Sequence, residues 1–412
     1  MYIINLMISW AKSIKRKIRK MYYGSYWKKK RVIHQMELAF QESCSKRTLN
    51  KNGRTVKIVQ IVGSLNYGDA VGNDVMAIKK ALSEDGYMTA IFASAIDKRV
   101  SDELVFYLEQ LPRLDEKDIV IYHFGSADRS YEIIRDLKCK KILRYHNVTP
   151  PDFFANYDKY SEKNTRNGLK QIRDMKDFFD YGMVDSEFNK MDLIKMGHTY
   201  PIDVVPILIP FVDYKKPPTK EVVEKYRKDG YINIIFVGRI VPNKKDEDII
   251  RCFQEYKKNY NEKSRLILVG NYAGQEKYYN ELQEIIKKDS MDDVVMTGHI
   301  SFADLLAYYT VADLFLCLSE HEGFCVPLIE AMLFGVPIIA YKKAAVPETL
   351  GKGGLLLESK EPKVVAKAMD DLLSNKDMRE IYQKNAKNII EQLQYETVKK
   401  QIIMCIDKVI GL

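Results

Sequence analysis

The stretch Leu314–Tyr341, LFLCLSEHEGFCVPLIEAMLFGVPIIAY, decides how this chain is read. Leu314–Leu318 is a short unbroken apolar run, the pattern of a parallel strand covered on both faces. It runs into the polar loop Ser319-Glu320-His321-Glu322-Gly323, and Pro327 follows where a helix can begin without losing a needed N–H. Gly335 and Pro337 mark the end of that helix, and a second apolar run follows them. A strand, a glycine-bearing loop and a helix start make an anion site, because free N–H groups and the positive end of the helix dipole face one crevice. Glu322 stands just before the helix and Glu330 in its first turns. For a bound diphosphate compound, Glu322 lies near the reactive end and Glu330 is placed to accept from ribose hydroxyls. The other reading of these acids is a solvated pair at a helix start, where the dipole favours them anyway.

Upstream in the same half, Asn233–Val237 reads as a strand, followed by Gly238-Arg239-Ile240-Val241-Pro242-Asn243-Lys244-Lys245 and an amphipathic helix to about Tyr256. Arg239 offers a planar fork and Lys244 a point charge, so the two can converge on one diphosphate. A basic pair in a loop is often only a solvated face. Here the two loops supply opposite charges for the two ends of one ligand. Further strands are expected at Arg265–Val269, Val294–Thr297, Leu314–Leu318, Pro337–Tyr341 and Gly354–Leu357. Gly270-Asn271 and Gly298-His299 would then frame a base pocket at the carboxyl edge of that sheet.

The first half has the same alternation, which implies a parallel sheet. VKIVQIVG from Val56 is a buried strand, Gly63–Asp74 is a glycine-bearing loop, and Val75–Leu82 is a helix. Strands are expected at Thr89–Ala93, Ile119–Phe124, Lys141–Tyr145, Gly182–Asp185 and Asp203–Ile209. Two of them end in histidine, His123 and His146, at the edge where ligands of open α/β sheets bind. Asp185 or Ser186 caps the helix after its strand, a structural role. The loop Gly63–Asp74 is either a tight turn or a ligand loop whose polar reach is Asp69 and Asn73. Prolines 206, 210, 217 and 218 mark a hinge.

EGFCVPLIEAM with its two spaced glutamates, together with GRIVPNKK, resembles the nucleotide-sugar site of the retaining glycosyltransferases of family 4, which have the GT-B fold. The family usually reads EGFG, and this chain has Cys325 at the second glycine, which puts a Cβ where backbone approaches the donor. The resemblance implies two Rossmann-like domains facing each other across a cleft, preceded here by a basic amphipathic helix. Residues 51–212, completed by a C-terminal helix 394–412, would form the acceptor domain, and residues 213–393 the donor domain. It also implies that Gly63, Gly68, Gly238, Arg239, Lys244, Gly270, Glu322, Gly323, Phe324, Cys325, Val326 and Glu330 surround the donor. YHNVTPPDFF resembles the segment that supplies an active-site histidine, His146, which joins Glu322, Arg239 and Lys244 in the chemistry. Asp69, Asn73 and His123 fall on the acceptor side, and KKAAVPE at Lys342–Glu348 resembles the segment next to the donor. The nucleotide-diphosphate sugar is a co-substrate, with no metal or cofactor expected, and no DxD triplet sits at a strand end. GDAVGND and YHNVTPPDFF also resemble the mannosyl- and rhamnosyl-type transferases of surface-polysaccharide assembly, which implies a glycan or lipid-linked acceptor. The alternatives are a GT-B epimerase or phosphorylase, or a non-catalytic scaffold or sugar-binding partner subunit.

At 412 residues the chain exceeds what one core usually serves. Its formal charge of +9 comes from 65 Lys and Arg against 56 Asp and Glu; ten of those bases lie in Lys12–Arg31, which leaves 55 against 56. A neutral body with one basic end argues against nucleic-acid binding. In residues 1–31, Ile4, Met7, Ala11, Ile14, Ile18 and Met21 recur at helical spacing among bases, with Trp10 and Trp27 nearby. That pattern suits a helix in the headgroup region of an anionic bilayer, although a solvated tail or a helix docked on its own protein shares it. Residues 1–50 are therefore read as a membrane-surface segment and linker, on a cytoplasmic protein held at the inner face of the plasma membrane. The basic cluster follows the apolar stretch, unlike a secretory signal. The six cysteines form no CxxC or Cys/His cluster and read as reduced, mostly packed thiols.

Overall fold

The computed structural model describes residues 28–41 and 56–411. Residues 28–41 form a helix; the rest of the expected membrane-surface segment and most of its linker lie outside the described residues. No described helix is long and apolar enough to cross a membrane.

Thirteen strands follow among the described residues. They are β1 (Lys57–Leu65), β2 (Met88–Ile96), β3 (Val105–Tyr107), β4 (Ile119–Phe124), β5 (Lys140–Tyr145), β6 (Tyr181–Val184) and β7 (Ile202–Val204). After these come β8 (Ile232–Val237), β9 (Ser264–Val269), β10 (Val294–Met296), β11 (Leu314–Cys317), β12 (Ile338–Tyr341) and β13 (Leu355–Leu357). The first seven form one sheet in the order β3-β2-β1-β4-β5-β6-β7, and the other six a second in the order β10-β9-β8-β11-β12-β13. Both orders run outward from a first strand and then reverse, the Rossmann-like pattern, with the reversal at β1/β4 and at β8/β11. The α/β class and the two parallel Rossmann-like sheets expected from the alternation are thus present.

Contacts divide the chain into two compact units, with the boundary inside β5. One holds the described residues up to His123 together with Asp128–Leu143 and the last few residues; the other holds Phe124–Ala127 and Arg144–Lys408. In the first unit, β1 pairs in parallel with β2 and β4, placing Ile58 beside Thr89 and Ile119. Val62, Leu65, Val75, Ile91 and Ala93 pack there around the helix Ala70–Glu84. In the second unit, β8 and β11 are joined at Leu314–Ile234 and Phe315–Ile235, and every residue of Leu314–Leu318 is fully buried. The helix Tyr395–Ile410 lies in this unit as far as Lys408, whose Nζ sits 2.5 Å from Asp203 Oδ2 of β7 and 3.1 Å from the Tyr181 hydroxyl.

Three differences from the sequence reading have local causes. The helix after β1 begins at Ala70 instead of Val75, because the Asp69 carboxylate accepts from Gly72 N at 2.6 Å and caps it there. β7 stops at Val204, short of Ile209, since Pro206 has no N–H for a ladder; Val205 N still donates to the Val184 carbonyl at 2.8 Å, and Val205, Ile207, Leu208 and Ile209 are buried. β3 is only three residues long, too short to show a period, and is held by pairing with β2 at the sheet edge.

Phe315 packs near the Phe236 and Tyr309 rings at 6.1 and 6.3 Å between centroids. Phe315→Ala should cost about 3–5 kcal/mol, read as a lower denaturation midpoint. Val212→Ala, at an exposed site, should stay within about 0.5 kcal/mol of wild type.

Candidate functional site

β11 delivers the chain to the loop Ser319–Cys325, and the helix Val326–Leu333 leads away from it. The loop is clamped on several sides. Asn243 donates its side-chain N–H to the His321 carbonyl at 3.0 Å, and Glu320 N donates to the Asn243 carbonyl at 2.9 Å. Ser186 Oγ donates to the Gly323 carbonyl at 2.7 Å, and Thr349 Oγ1 donates to the Phe324 carbonyl. Gly323 is the point of closest approach, where a Cβ would stand 2.7 Å from the His146 carbonyl oxygen. Cys325 occupies the position before the helix with φ 71° and ψ 65°, a left-handed conformation that an L side chain adopts at about 1–2 kcal/mol and glycine freely. That accounts physically for the glycine expected at this position.

The neighbouring loop after β8 brings in the positive charges. Lys244 Nζ lies 2.5 Å from Glu322 Oε1, with the two side chains 18% and 9% exposed. Burial alone would lower the Lys244 pKa, but the Glu322 carboxylate beside it more than offsets this and holds it above its ordinary value. Arg239 is exposed and makes no hydrogen bond or ion pair with the described residues, so its guanidinium is available to a ligand. At the next strand end, a Cβ on Gly270 would fall 1.7 Å from the Gly238 carbonyl oxygen, so the backbones of the two loops meet only because residue 270 is glycine. Asp246, which opens the helix Asp246–Asn259, is fully buried, and burial raises its pKa well above the usual range, against a smaller opposing effect of the nearby Tyr278 hydroxyl.

Glu330 is held from two sides. Tyr214 donates to Oε1 at 2.6 Å and Tyr309 to Oε2 at 2.7 Å. Burial raises its pKa, and the two hydroxyls oppose that rise. Each carboxylate oxygen keeps a second lone pair for a ligand hydroxyl.

His146 ends β5, and its Nδ1 lies 3.0 Å from Asp185 Oδ2. The other oxygen of Asp185 lies 3.0 Å from Arg144 Nη2, and Arg144 Nη1 donates to the Val205 carbonyl at 2.6 Å. The contact with Asp185 fixes the orientation of the ring. Asp185 was assigned only a capping or structural role from the sequence. The cap is Ser186, whose Oγ accepts from Asn189 N, while Asp185 turns to the histidine. Its place at a strand's carboxyl end, next to the strand of His146, is the signal that pointed there.

Two further residues escaped the sequence reading. His321 sits between the Phe153 and Phe188 rings, 6.3 and 5.9 Å away. Glu348, from the segment Lys342–Glu348, accepts from Glu187 N at 2.8 Å and caps a helix 161 residues away in sequence. In the first unit, Gly68 has φ 81° and a Cβ on Gly63 would meet the Asp128 Cβ at 2.6 Å. Asp69 is engaged as a helix cap, Asn73 is exposed, and His123 is buried 2.8 Å from Gln60 Oε1. The second unit thus brings together His146, Arg239, Lys244, Glu322, Gly323, Phe324, Cys325, Val326 and Glu330 around two strand ends and the end of β5; Asp69, Asn73 and His123 stand in the first unit.

Known proteins share this architecture. Sucrose-phosphate synthase from Thermosynechococcus elongatus superposes with a TM-score of 0.69 at 15% identity, over 86% of this chain and 99% of that one. Anabaena HepE in complex with UDP-glucose gives 0.68 at 16%, over 85% and 99%. The fold is therefore that of the GT-B glycosyltransferases. Within that class, residues 219–389 match the family described as glycosyl transferases group 1. An uncharacterized glycosyltransferase of Methanocaldococcus jannaschii is 29% identical over 180 residues, 42% of this chain and 43% of that protein. The O-antigen chain mannosyltransferase B of Escherichia coli is 23% identical over 270 residues, 64% of this chain and 69% of its own length. The chain therefore matches less than half the length of the first of these relatives.

Burial pushes the His321 imidazole down from 6.5 to about 4. The unfolded chain takes up that proton at the higher pH, so stability is complete above about pH 6.5 and is lost as the pH falls towards 4. In His321→Gln the melting temperature should fall less over that interval than in wild type. His198, also held near 4 by burial, contributes equally to both proteins. Equal slopes by calorimetry would remove His321 from the effect.

Proposed function

We propose that the protein is a retaining, metal-independent glycosyltransferase that moves a hexose, of mannosyl or rhamnosyl type, from a nucleotide-diphosphate sugar to a lipid-linked saccharide or other glycan acceptor. The observation that carries this reading is the meeting of Lys244 and Glu322, 78 residues apart in sequence, at the reversal of the second sheet beside a helix N-terminus, with Arg239 unengaged on the same loop. In transfer, the bond from C1 of the sugar to the diphosphate breaks and the electron pair stays on the phosphate oxygen. Arg239, Lys244 and the N–H groups at Val326 are placed to stabilise that charge, a preorganised electrostatic effect. The acceptor hydroxyl forms the new bond to C1 on the leaving-group face, and its proton passes to the departing phosphate. Glu322 keeps Lys244 charged and presents its second oxygen to the sugar. His146, fixed by Asp185, steadies the sugar as positive charge develops at C1. Glu330 takes the ribose.

On the acceptor side, Asn73 is exposed, Asp69 is half-buried and acts through the helix it caps, and His123 is turned to Gln60 of β1. The similarity to an O-antigen chain mannosyltransferase supports the surface-polysaccharide reading and the sugar type. The basic, aromatic composition of residues 1–31 supports attachment to the inner face of an anionic membrane.

A thermal-shift panel of UDP, GDP and ADP tests the donor site, because a ligand that binds only the folded state raises its melting temperature. One diphosphate should give a shift, and Arg239→Ala should weaken its affinity about 10-fold or more, as loss of a charge-assisted contact predicts. No shift with any of the three on folded protein would overturn the reading. For the membrane, a chain lacking residues 1–31 should fail to sediment with phosphatidylserine vesicles that retain the full chain at low salt. Retention of the shortened chain would place the contact elsewhere.

A further inference from the structure

The thiols beside the ion pair have no part in the proposed transfer. Cys317, the last residue of β11, is fully buried, and Cys325 is 6% exposed. One ligand atom from each of Cys317, Cys325 and Glu322 lies within 4.8 Å of the other two. Two sulfurs bound to one tetrahedral zinc stand about 3.8 Å apart, so small side-chain movements close the set on an ion. Cys325 makes no side-chain cap for the helix that follows it, and its backbone is in a conformation that glycine adopts more easily. Neither the backbone nor the cap calls for a thiol here, which leaves the partnership with Cys317 and Glu322 as the thing the side chain supplies.

We propose that Cys317, Cys325 and Glu322 form a site for a thiophilic divalent cation of the zinc class, and that a bound ion switches off donor use by engaging Glu322. Two sulfurs and one carboxylate oxygen select a soft d¹⁰ ion over magnesium or calcium, which take oxygen ligands. Charge balance favours the loaded state. Two thiolates, one carboxylate and a divalent ion sum to one negative charge, and the Lys244 ammonium, 2.5 Å from Glu322, cancels it. Each ion that enters displaces two thiol protons to solvent. The empty site, with two thiols and a Lys–Glu pair, is neutral as well, so the exchange buries no net charge.

The inhibitory half of the proposal rests on the role given to Glu322 above; the ion site does not. The two are separated by measuring them apart. Co²⁺, a spectroscopic stand-in for Zn²⁺, is added to the full chain without nucleotide. Wild type should develop a thiolate-to-cobalt charge-transfer band that Zn²⁺ bleaches, and Cys317→Ser should lose most of it. Cys325→Gly removes the other sulfur while relieving the left-handed backbone, so it keeps the fold and should lose the band as well. No band in wild type, or a band unchanged in both variants, overturns the site. In the second arm, one equivalent of Zn²⁺ should reduce the thermal shift given by the nucleotide sugar at least several-fold in wild type and leave it unchanged in Cys317→Ser. Equal loss in both proteins overturns the inhibitory link.

Discussion

The contact between Lys244 and Glu322 is the constraint on which the second unit's site depends. Removing two charges from water costs several kcal/mol per ion, and only good geometry with further hydrogen bonds recovers that cost. The structure supplies both. Residues 243 and 244 meet residues 320–322 through the Asn243 side chain, the Glu320 N–H and the ion pair, so the loops after β8 and β11 behave as one body. Removing either charge would leave the other buried without a counterion and would loosen the crevice where a diphosphate is expected.

Close backbone approach is the second theme, and it depends on the absence of side chains. Gly270 lets the end of β9 meet the loop after β8, and Gly323 lets the loop after β11 reach the backbone of His146. His146 is in turn held by Asp185, Arg144 and the Val205 carbonyl, a buried chain from the end of β5 to the residue after β7. Two small residues and one acid thereby set where an imidazole can stand relative to a carboxylate far from it in sequence.

The α/β class and most of the strands were legible because they rest on local patterns. Unbroken apolar runs such as Leu314–Leu318 mark covered parallel strands, and glycine and proline mark the loops between them. Lys244 and Glu322 were legible as opposite charges on two strand-end loops, but their direct pairing was not, since no local pattern encodes a contact across 78 residues. The same reason hid Asp185 behind a capping role and left the tyrosine hydroxyls on Glu330 unforeseen. The early start of the helix at Ala70 was missed because its glycines read as loop, whereas the Asp69 cap outweighs them.

Glu348 carries a consequence for how the second unit opens. Its carboxylate accepts the amide hydrogens of Glu187 and Phe188, which no residue of their own helix can accept. Those two amides are protected from solvent while the Glu348 carboxylate stays on them. Their exchange rate therefore reports on the joint between the short helix Val346–Leu350 and the first turn of the helix Glu187–Lys195, which one carboxylate ties together.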